Sequence, residues 1–458
     1  MSTEKLGLLS GKLNPRWTRR EALSRLSLGL AASKLGAATH FAPKAKRIIY
    51  IVMNGGMSQV DTFDPKPMLA KYNGQNVPGG APKTERVTGT LMQSPFEFKR
   101  GSSCGTQVSE IFPRMGKLMD DCCVIRSMYT DVPNHEPSLF MINCGAIQPG
   151  RPSLGSWLMY GLGTENQNLP GFVVLCPGIP VVGPPLWSSA FLPAVFQGTF
   201  LKNEDTDPYK LIRHVKAQAS PEAQRKQLDL LARMNREHLE KRQGDSQLEA
   251  SMSAMETAFR MQTEAPDAFD VRKEDDKTRE RYGDNDFGRS CLMARRLVER
   301  GVRMVQIYYG NSQPWDNHED IQVHKRLAGK ADPGVASLIE DLKARDLLKD
   351  TLVVLGTEFG RTPAVETGST TKLHNGRDHN SYGFSIVLAG GGVKGGITYG
   401  STDDFGFSAV DKRCYVHDLN ATILHLMGID HKKLTYSYSG RDFRLTDVHG
   451  EVVQEILA

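Results

Sequence analysis

Residues 291–320 read "CLMARRLVERGVRMVQIYYGNSQPWDNHED". The first part has apolar residues at helical spacing, and a glycine turn follows at Gly301. "VRMVQIYY" is then a run of apolar and β-favouring residues. A helix that feeds straight into a strand with no polar alternation is the unit of an α/β protein whose mostly parallel sheet is covered on both faces. Trp315, Asp316 and His318 come directly after that strand. Ligands in such sheets gather at the carboxyl ends of strands. A carboxylate and an imidazole two residues apart at that place are either a metal pair or a surface turn.

The rest of the chain repeats the pattern. Buried strands are predicted in "KRIIYIVMNGG" (46–56), "DDCCVIRSMY" (120–129), "LPGFVVLCPG" (169–178), "KDTLVVLGTEFGR" (349–361) and "YGFSIVLAGGGVKGG" (382–396). Helices are predicted in "SLGSWLMYGLG" (153–163) and, behind an Asp cap, in "ADPGVASLIEDLKARDL" (331–347). The charge-rich stretch from about 205 to 300 reads as long helices, an insertion beside the sheet. "AGGGVKGG" (389–396) lacks the Gly-Lys-Ser/Thr of a phosphate loop and reads as a tight turn. Metal-ligand residue types recur at several strand ends: after Asn54, in "YTDVPNHEPSLFMINCG" (129–145), in "NSQPWDNHED", in "TEFGRTP" (357–363) and in "HNGRDHNSYG" (374–383). That recurrence argues for one shared site.

Composition narrows the classes. In 458 residues, 39 % are hydrophobic and 24 % charged, ordinary for a globular protein. A net charge of +5 on this length gives no case for a nucleic-acid partner. No apolar run reaches the about 18 residues of a spanning helix, so no stable membrane anchor is expected. The N-terminal "NPRWTRREALSRLSLGLAASKLGAATHFAP" (14–43) places Arg19 and Arg20 before a weakly apolar Ala/Leu/Ser/Gly stretch, interrupted by Arg25 and Lys34. That order predicts a twin-arginine export segment over 1–45, hence a periplasmic or secreted protein. An amphipathic helix is the plainer alternative. The folded domain is expected over 46–458.

Taken as a set, "GGMSQVDTFDPKP" (55–67), "NHEPS" (134–138), "GRPSLGSWL" (150–158), "WDNH" (315–318), "TEFGRTP", "GRDHN" (376–380), "AGGGVKGG" and "VHDLNATILHLMGID" (416–430) resemble the domain of unknown function 1501 family, within the alkaline phosphatase and sulfatase superfamily. The resemblance implies an alkaline phosphatase-like fold and a centre with divalent metal. One ion would take Asp316, His318 and His379, with Asp378 beside them. A second would take the positions of Asn54 and Glu358, but Asn is a poorer ligand than Asp, and Phe359 stands where a ligand is expected. The first site therefore reads as complete and the second as degraded.

The nucleophile position of the superfamily falls on His135, with Ser138 the nearest hydroxyl. Arg361 and Arg151 are candidates to bind an anionic substrate, and Trp315 a candidate pocket wall. Glu358 and Arg361 also read as a buried pair holding a loop. Zinc suits two imidazoles and a carboxylate; manganese, calcium or magnesium would suit added oxygen ligands. The expectation is an exported metal-dependent hydrolase of phosphate or sulfate esters, small or on glycans. The alternative is a non-catalytic binding or scaffold protein that keeps the fold.

Overall fold

Six residues of near-continuous hydrophobicity, Arg47–Val52, form the central strand β1. The computed structural model describes residues 39–212, 215–217, 219–241, 246–367 and 375–458, and the unit discussed is Thr39–Ala458. After β1 come β2 (Thr88–Leu91), β3 (Cys122–Tyr129), β4 (Phe172–Leu175), β5 (Thr199–Leu201), β6 (Met304–Tyr308), β7 (Thr351–Gly356), β8 (Gly360–Glu366), β9 (Arg377–Asn380), β10 (Phe384–Ala389), β11 (Ile397–Tyr399) and β12 (Cys414–Tyr415). The principal helices are α1 (His135–Cys144), α2 (Leu154–Leu162), α3 (Pro221–Lys241), α4 (Ser246–Ala268), α5 (Asp286–Glu299), α6 (Val323–Ala344) and α7 (Val416–Leu426).

The main sheet runs β11-β3-β10-β7-β1-β6-β4-β5, with β12 on β3. β1 pairs in parallel with both β6 and β7, and β10 alone in this sheet lies antiparallel to its neighbours β7 and β3. The fold is thus α/β with a mixed, mostly parallel sheet, as the sequence predicts. Along β1, Ile49 and Ile51 enter the hydrophobic core on one face, with α5 and α6. Ile48, Tyr50 and Val52 enter the other, with α1, α2 and α7. This is the period-two alternation of a strand covered on both sides. Burying each such side chain is worth about 1.5–3 kcal/mol.

Two features differ from the sequence reading. First, α6 starts at Val323, well before the expected Asp cap, and carries Pro333 inside it. The Asp332 carboxylate instead accepts the backbone N–H groups of Arg114 and Met115 at 2.9 and 2.8 Å, capping a different, short helix. Second, "TEFGRTP" and "GRDHN" are not plain loops. They contribute β8 and β9, which join β2 in a second, antiparallel sheet. In its register Arg361 lies opposite His379, and Glu366 opposite Thr88. Between 205 and 300 the described residues include α3 and α4, whereas α5 is largely buried and leads into β6. Among the described residues no helix is long and apolar enough to cross a membrane.

Candidate metal centre

The carboxyl ends of β1, β3, β6 and β7 and the start of the reversed β10 share one edge of the main sheet, and the second sheet lies against it. Chain approach there is close. A Cβ on Gly55, at φ +117°, would lie 2.6 Å from the backbone N of Asp316, and one on Gly376 would lie 1.7 Å from the His318 carbonyl oxygen. Glycine at both positions lets the 315–318 loop seat directly on backbone.

Three imidazoles meet there, each tied from behind by a glutamate. His379 Nδ1 lies 2.7 Å from Glu85 Oε2, and His135 Nδ1 lies 2.7 Å from Glu358 Oε1. His318 Nδ1 bonds Glu366 Oε2. Ionised glutamates only accept, so the network assigns the proton of each ring to Nδ1 and leaves a lone pair on Nε2. All three Nε2 atoms surround Asp316 Oδ1, at 2.8 Å for His318, 3.2 Å for His379 and 3.3 Å for His135. The Nε2 atoms of His318 and His379 are 3.0 Å apart. The His135 contact is off the line of a hydrogen bond, and its buried Nε2 has no hydrogen-bond partner.

Charge is distributed to suit this. Burial would raise Asp316, but His135, His318, His379 and Arg361 hold its carboxyl well below the ordinary range. Burial, reinforced by Arg361, holds His379 down to about 2, so that ring is neutral with its lone pair free. Burial also opposes a charge on His135, yet Asp316 and Glu358 prevail and raise it above the ordinary histidine value. Arg361 is fully buried. It donates to the carbonyls of Gly56 at 2.9 Å, Arg377 at 3.1 Å and Gly55, and to Asp316 Oδ1 at 2.6 Å.

A second layer fixes the loop. His324 accepts the Ser58 N–H at 3.1 Å and contacts Asn317 Oδ1 at 2.9 Å. Arg377, beside the centre on β9, makes a two-point pair with Asp61 at 2.7 and 3.1 Å, both side chains fully buried.

The structure brings Asp316, His318 and His379 together, with His135 adjoining. Asp378 is close by: its carboxylate accepts the backbone N–H of His379 and of Arg86, both at 2.7 Å. Glu358 faces His135 and the Gly55 N–H. Asn54 is turned to loop-holding: its amide donates to the carbonyls of Gly310 and Ser312 at 3.0 and 2.6 Å. Ser138 Oγ donates to the Val132 carbonyl at 2.6 Å and sits one turn inside α1.

Three substrate-contact expectations need correcting. Trp315 is fully buried among Phe112, Tyr309 and His324, a core residue and not a pocket wall. Arg361 is fully buried and spends its donors on Asp316 and on the carbonyls of Gly55, Gly56 and Arg377. Arg151 stacks on Phe443 and lies 3.7 Å from Asp447, away from the centre's residues. The sequence reading missed Glu366, Glu85 and Arg86, because nothing in "AVETG" or "KTERV" marks them until the second sheet forms. His374, the first residue of "HNGRDHNSYG", lies outside the described residues.

The residues fit a divalent ion. Tetrahedral zinc with bonds of about 2.0–2.1 Å has ligand atoms roughly 3.3 Å apart, and Asp316, His318 and His379 present theirs at 2.8–3.2 Å. Lone pairs this close repel unless a cation or added protons offset them. His135, Asp316 and His379 also bring ligand atoms within 4.8 Å of one another. The glutamates behind the rings are the partners that orient histidine ligands in metal sites.

Solved structures share the broad layout only. A sulfatase from Pseudoalteromonas sp. is 13 % identical, with TM-score 0.35, covering 90 % of this chain and 72 % of its own. The lipoteichoic acid synthase LtaP from Listeria monocytogenes is 9 % identical, with TM-score 0.39, covering 90 % and 78 %. The C-terminal periplasmic domain of EcEptC from Escherichia coli, solved as a complex with Zn, is 10 % identical, with TM-score 0.36, covering 89 % and 95 %. Similarity at this level carries no argument about activity. No curated protein matches the chain at a significant level. Over residues 45–457 it matches the family described as "Protein of unknown function (DUF1501)", and to that family the chain belongs.

Proposed function

We propose that this protein is an exported hydrolase of phosphate or sulfate esters, on small molecules or glycans, working with one divalent metal ion. The carrying observation is the triangle of Asp316 Oδ1, His318 Nε2 and His379 Nε2, with sides of 2.8, 3.0 and 3.2 Å and both Nδ1 atoms tied by glutamates. Two imidazoles and a carboxylate suit zinc and leave one position for water. Such an ion, when bound, supplies Lewis acidity and an activated water.

The chain's own residues do the rest. Glu366 and Glu85 fix the rings of His318 and His379. Arg361 keeps Asp316 ionised and locks it to the Gly55–Gly56 turn. His135, held at Nδ1 by Glu358, uses its Nε2 lone pair to take a proton from the attacking water and passes that proton to the leaving oxygen. His135 is thus read as acid/base and not as nucleophile. Ser138 has no part in this scheme, because its hydroxyl is committed to the Val132 carbonyl. Asn54 and Phe359 leave a second ion without its ligands.

The test is metal content after metal-replete expression, followed by a screen of aryl phosphate and sulfate esters. One equivalent of metal with turnover supports the reading. Metal without turnover on any ester class favours the binding-protein alternative, and no metal rejects the centre.

A further inference from the structure

Glu85 and Arg86, just before β2, both bond residues of the centre and keep exposed side chains, and they treat it differently. Glu85 binds His379 Nδ1 and accepts the Asn134 amide at 3.0 Å. Arg86 is anchored twice: its N–H to Asp378 Oδ2 at 2.7 Å, and NH1 to Glu366 Oε1 at 2.7 Å. Glu366 is fully buried, while the Arg86 side chain keeps 41 % exposure. NH2 and Nε of Arg86 make no hydrogen bond to the described residues. Burial is the largest single influence and works against its charge, but Glu366, Asp378 and Asp316 together more than offset it, and the guanidinium stays charged.

The other two guanidinium groups at the centre are closed off. Arg361 is engaged internally. Arg377 is bound to Asp61 and to the carbonyls of Thr362 and Met92.

The centre also needs a cation for any anionic substrate. Asp61, Glu85, Asp316, Glu358, Glu366 and Asp378 carry six formal negative charges against three from Arg86, Arg361 and Arg377. A divalent ion leaves that count one negative, so an incoming oxyanion meets repulsion unless a donor faces it. We infer that Arg86 is the specificity-determining residue that receives the tetrahedral oxyanion of the ester through NH2 and Nε. This rests on the single-metal reading above. Bidentate, charge-assisted bonds from a guanidinium suit the edge of a phosphate or sulfate group. The buried Glu366 contact holds the fork in place, so less side-chain freedom is lost on binding. The same carboxylate orients His318, so the anion anchor and a metal ligand are set by one residue.

The experiment uses full-length, metal-loaded protein and titrates inorganic phosphate and, separately, sulfate by calorimetry. Metal content and thermal melts are measured on the same samples. Arg86→Gln should keep the metal stoichiometry and a cooperative melt, and bind the anions at least about tenfold more weakly. Arg86→Lys should recover part of the loss. The two anions show whether phosphate or sulfate esters are the better class. Wild-type-like anion binding by metal-loaded Arg86→Gln overturns the proposal and leaves the metal reading standing. So does a metal-loaded wild type that binds neither anion. A wild type that holds no metal overturns the single-metal reading, and this proposal with it.

Discussion

Glu358 Oε1 lies 2.7 Å from His135 Nδ1, and both side chains are buried although 223 positions separate them in the chain. The same oxygen accepts the Gly55 N–H at 2.8 Å, so the glutamate cannot swing away without losing a backbone bond. This dyad orients one imidazole toward Asp316, as a buried carboxylate orients a catalytic histidine. Glu358→Gln should therefore lower ester turnover, by about 10²-fold or more, while metal content stays near wild type. His135→Gln should do the same. Elemental analysis alongside steady-state rates checks both, and parallel loss of metal would move His135 into the ligand set.

His318→Ala and His379→Ala should each remove most bound metal. Chelation of the wild type should lower its melting temperature, because a ligand present at about 100 times its Kd stabilises the folded state by about 2.7 kcal/mol. The two variants should melt near the chelated wild type and respond little to added zinc. Equal metal in all forms would mean that Asp316 and His318 merely shape a turn.

The Asp61–Arg377 pair supports β9 from beneath. Burial alone would raise Asp61, but Arg377 and Ser58 hold it below the ordinary carboxylate value. Removing one partner leaves a buried, uncompensated charge, so Asp61→Ala should cost about 3–5 kcal/mol. Pairing it with Arg377→Met should recover much of that. Denaturant melts of the two single variants and the double variant give the coupling, and simple additivity would refute it.

Stability should also report His417, which lies outside the centre. It is buried and stacks on His449 at 5.3 Å. Burial first, and the His449 charge second, lower it from 6.5 to about 4. A depressed folded pKa means that the unfolded chain binds the proton more tightly. Its contribution is therefore complete above pH 6.5 and is lost as pH falls from there through 4, by roughly 3 kcal/mol. His417→Gln should flatten the wild-type slope in that window, and an unchanged slope would assign the effect elsewhere.

Export is testable without the folded domain. Residues 1–45 fused to a reporter should reach the periplasm, and replacing both Arg19 and Arg20 with Lys should strand it in the cytoplasm. Export that ignores the double substitution would remove the twin-arginine reading.

The sequence by itself determined six of the nine strands of the main sheet. Each of these strands is a short apolar run whose burial on both faces is a local property, so 46–56, 120–129, 169–178, 301–310, 349–361 and 382–396 could be read without knowing their neighbours. It also marked Asp316, His318 and His379, because ligand types at strand ends stand out against an apolar background. Tertiary structure alone decided the rest. Strand order and the reversal of β10 come from pairings between distant segments. Glu85, Arg86 and Glu366 become relevant only when β8 pairs with β2 and β9, and no local pattern encodes that contact. Arg361 and Trp315 were candidates to face a ligand, but their settings are fixed by what packs over them. Arg361 closes on the Gly55 and Gly56 carbonyls across 306 and 305 positions of chain, and Trp315 is sealed against Phe112. A residue's type is written locally. Whether its donors and faces remain free depends on which distant backbone arrives beside it.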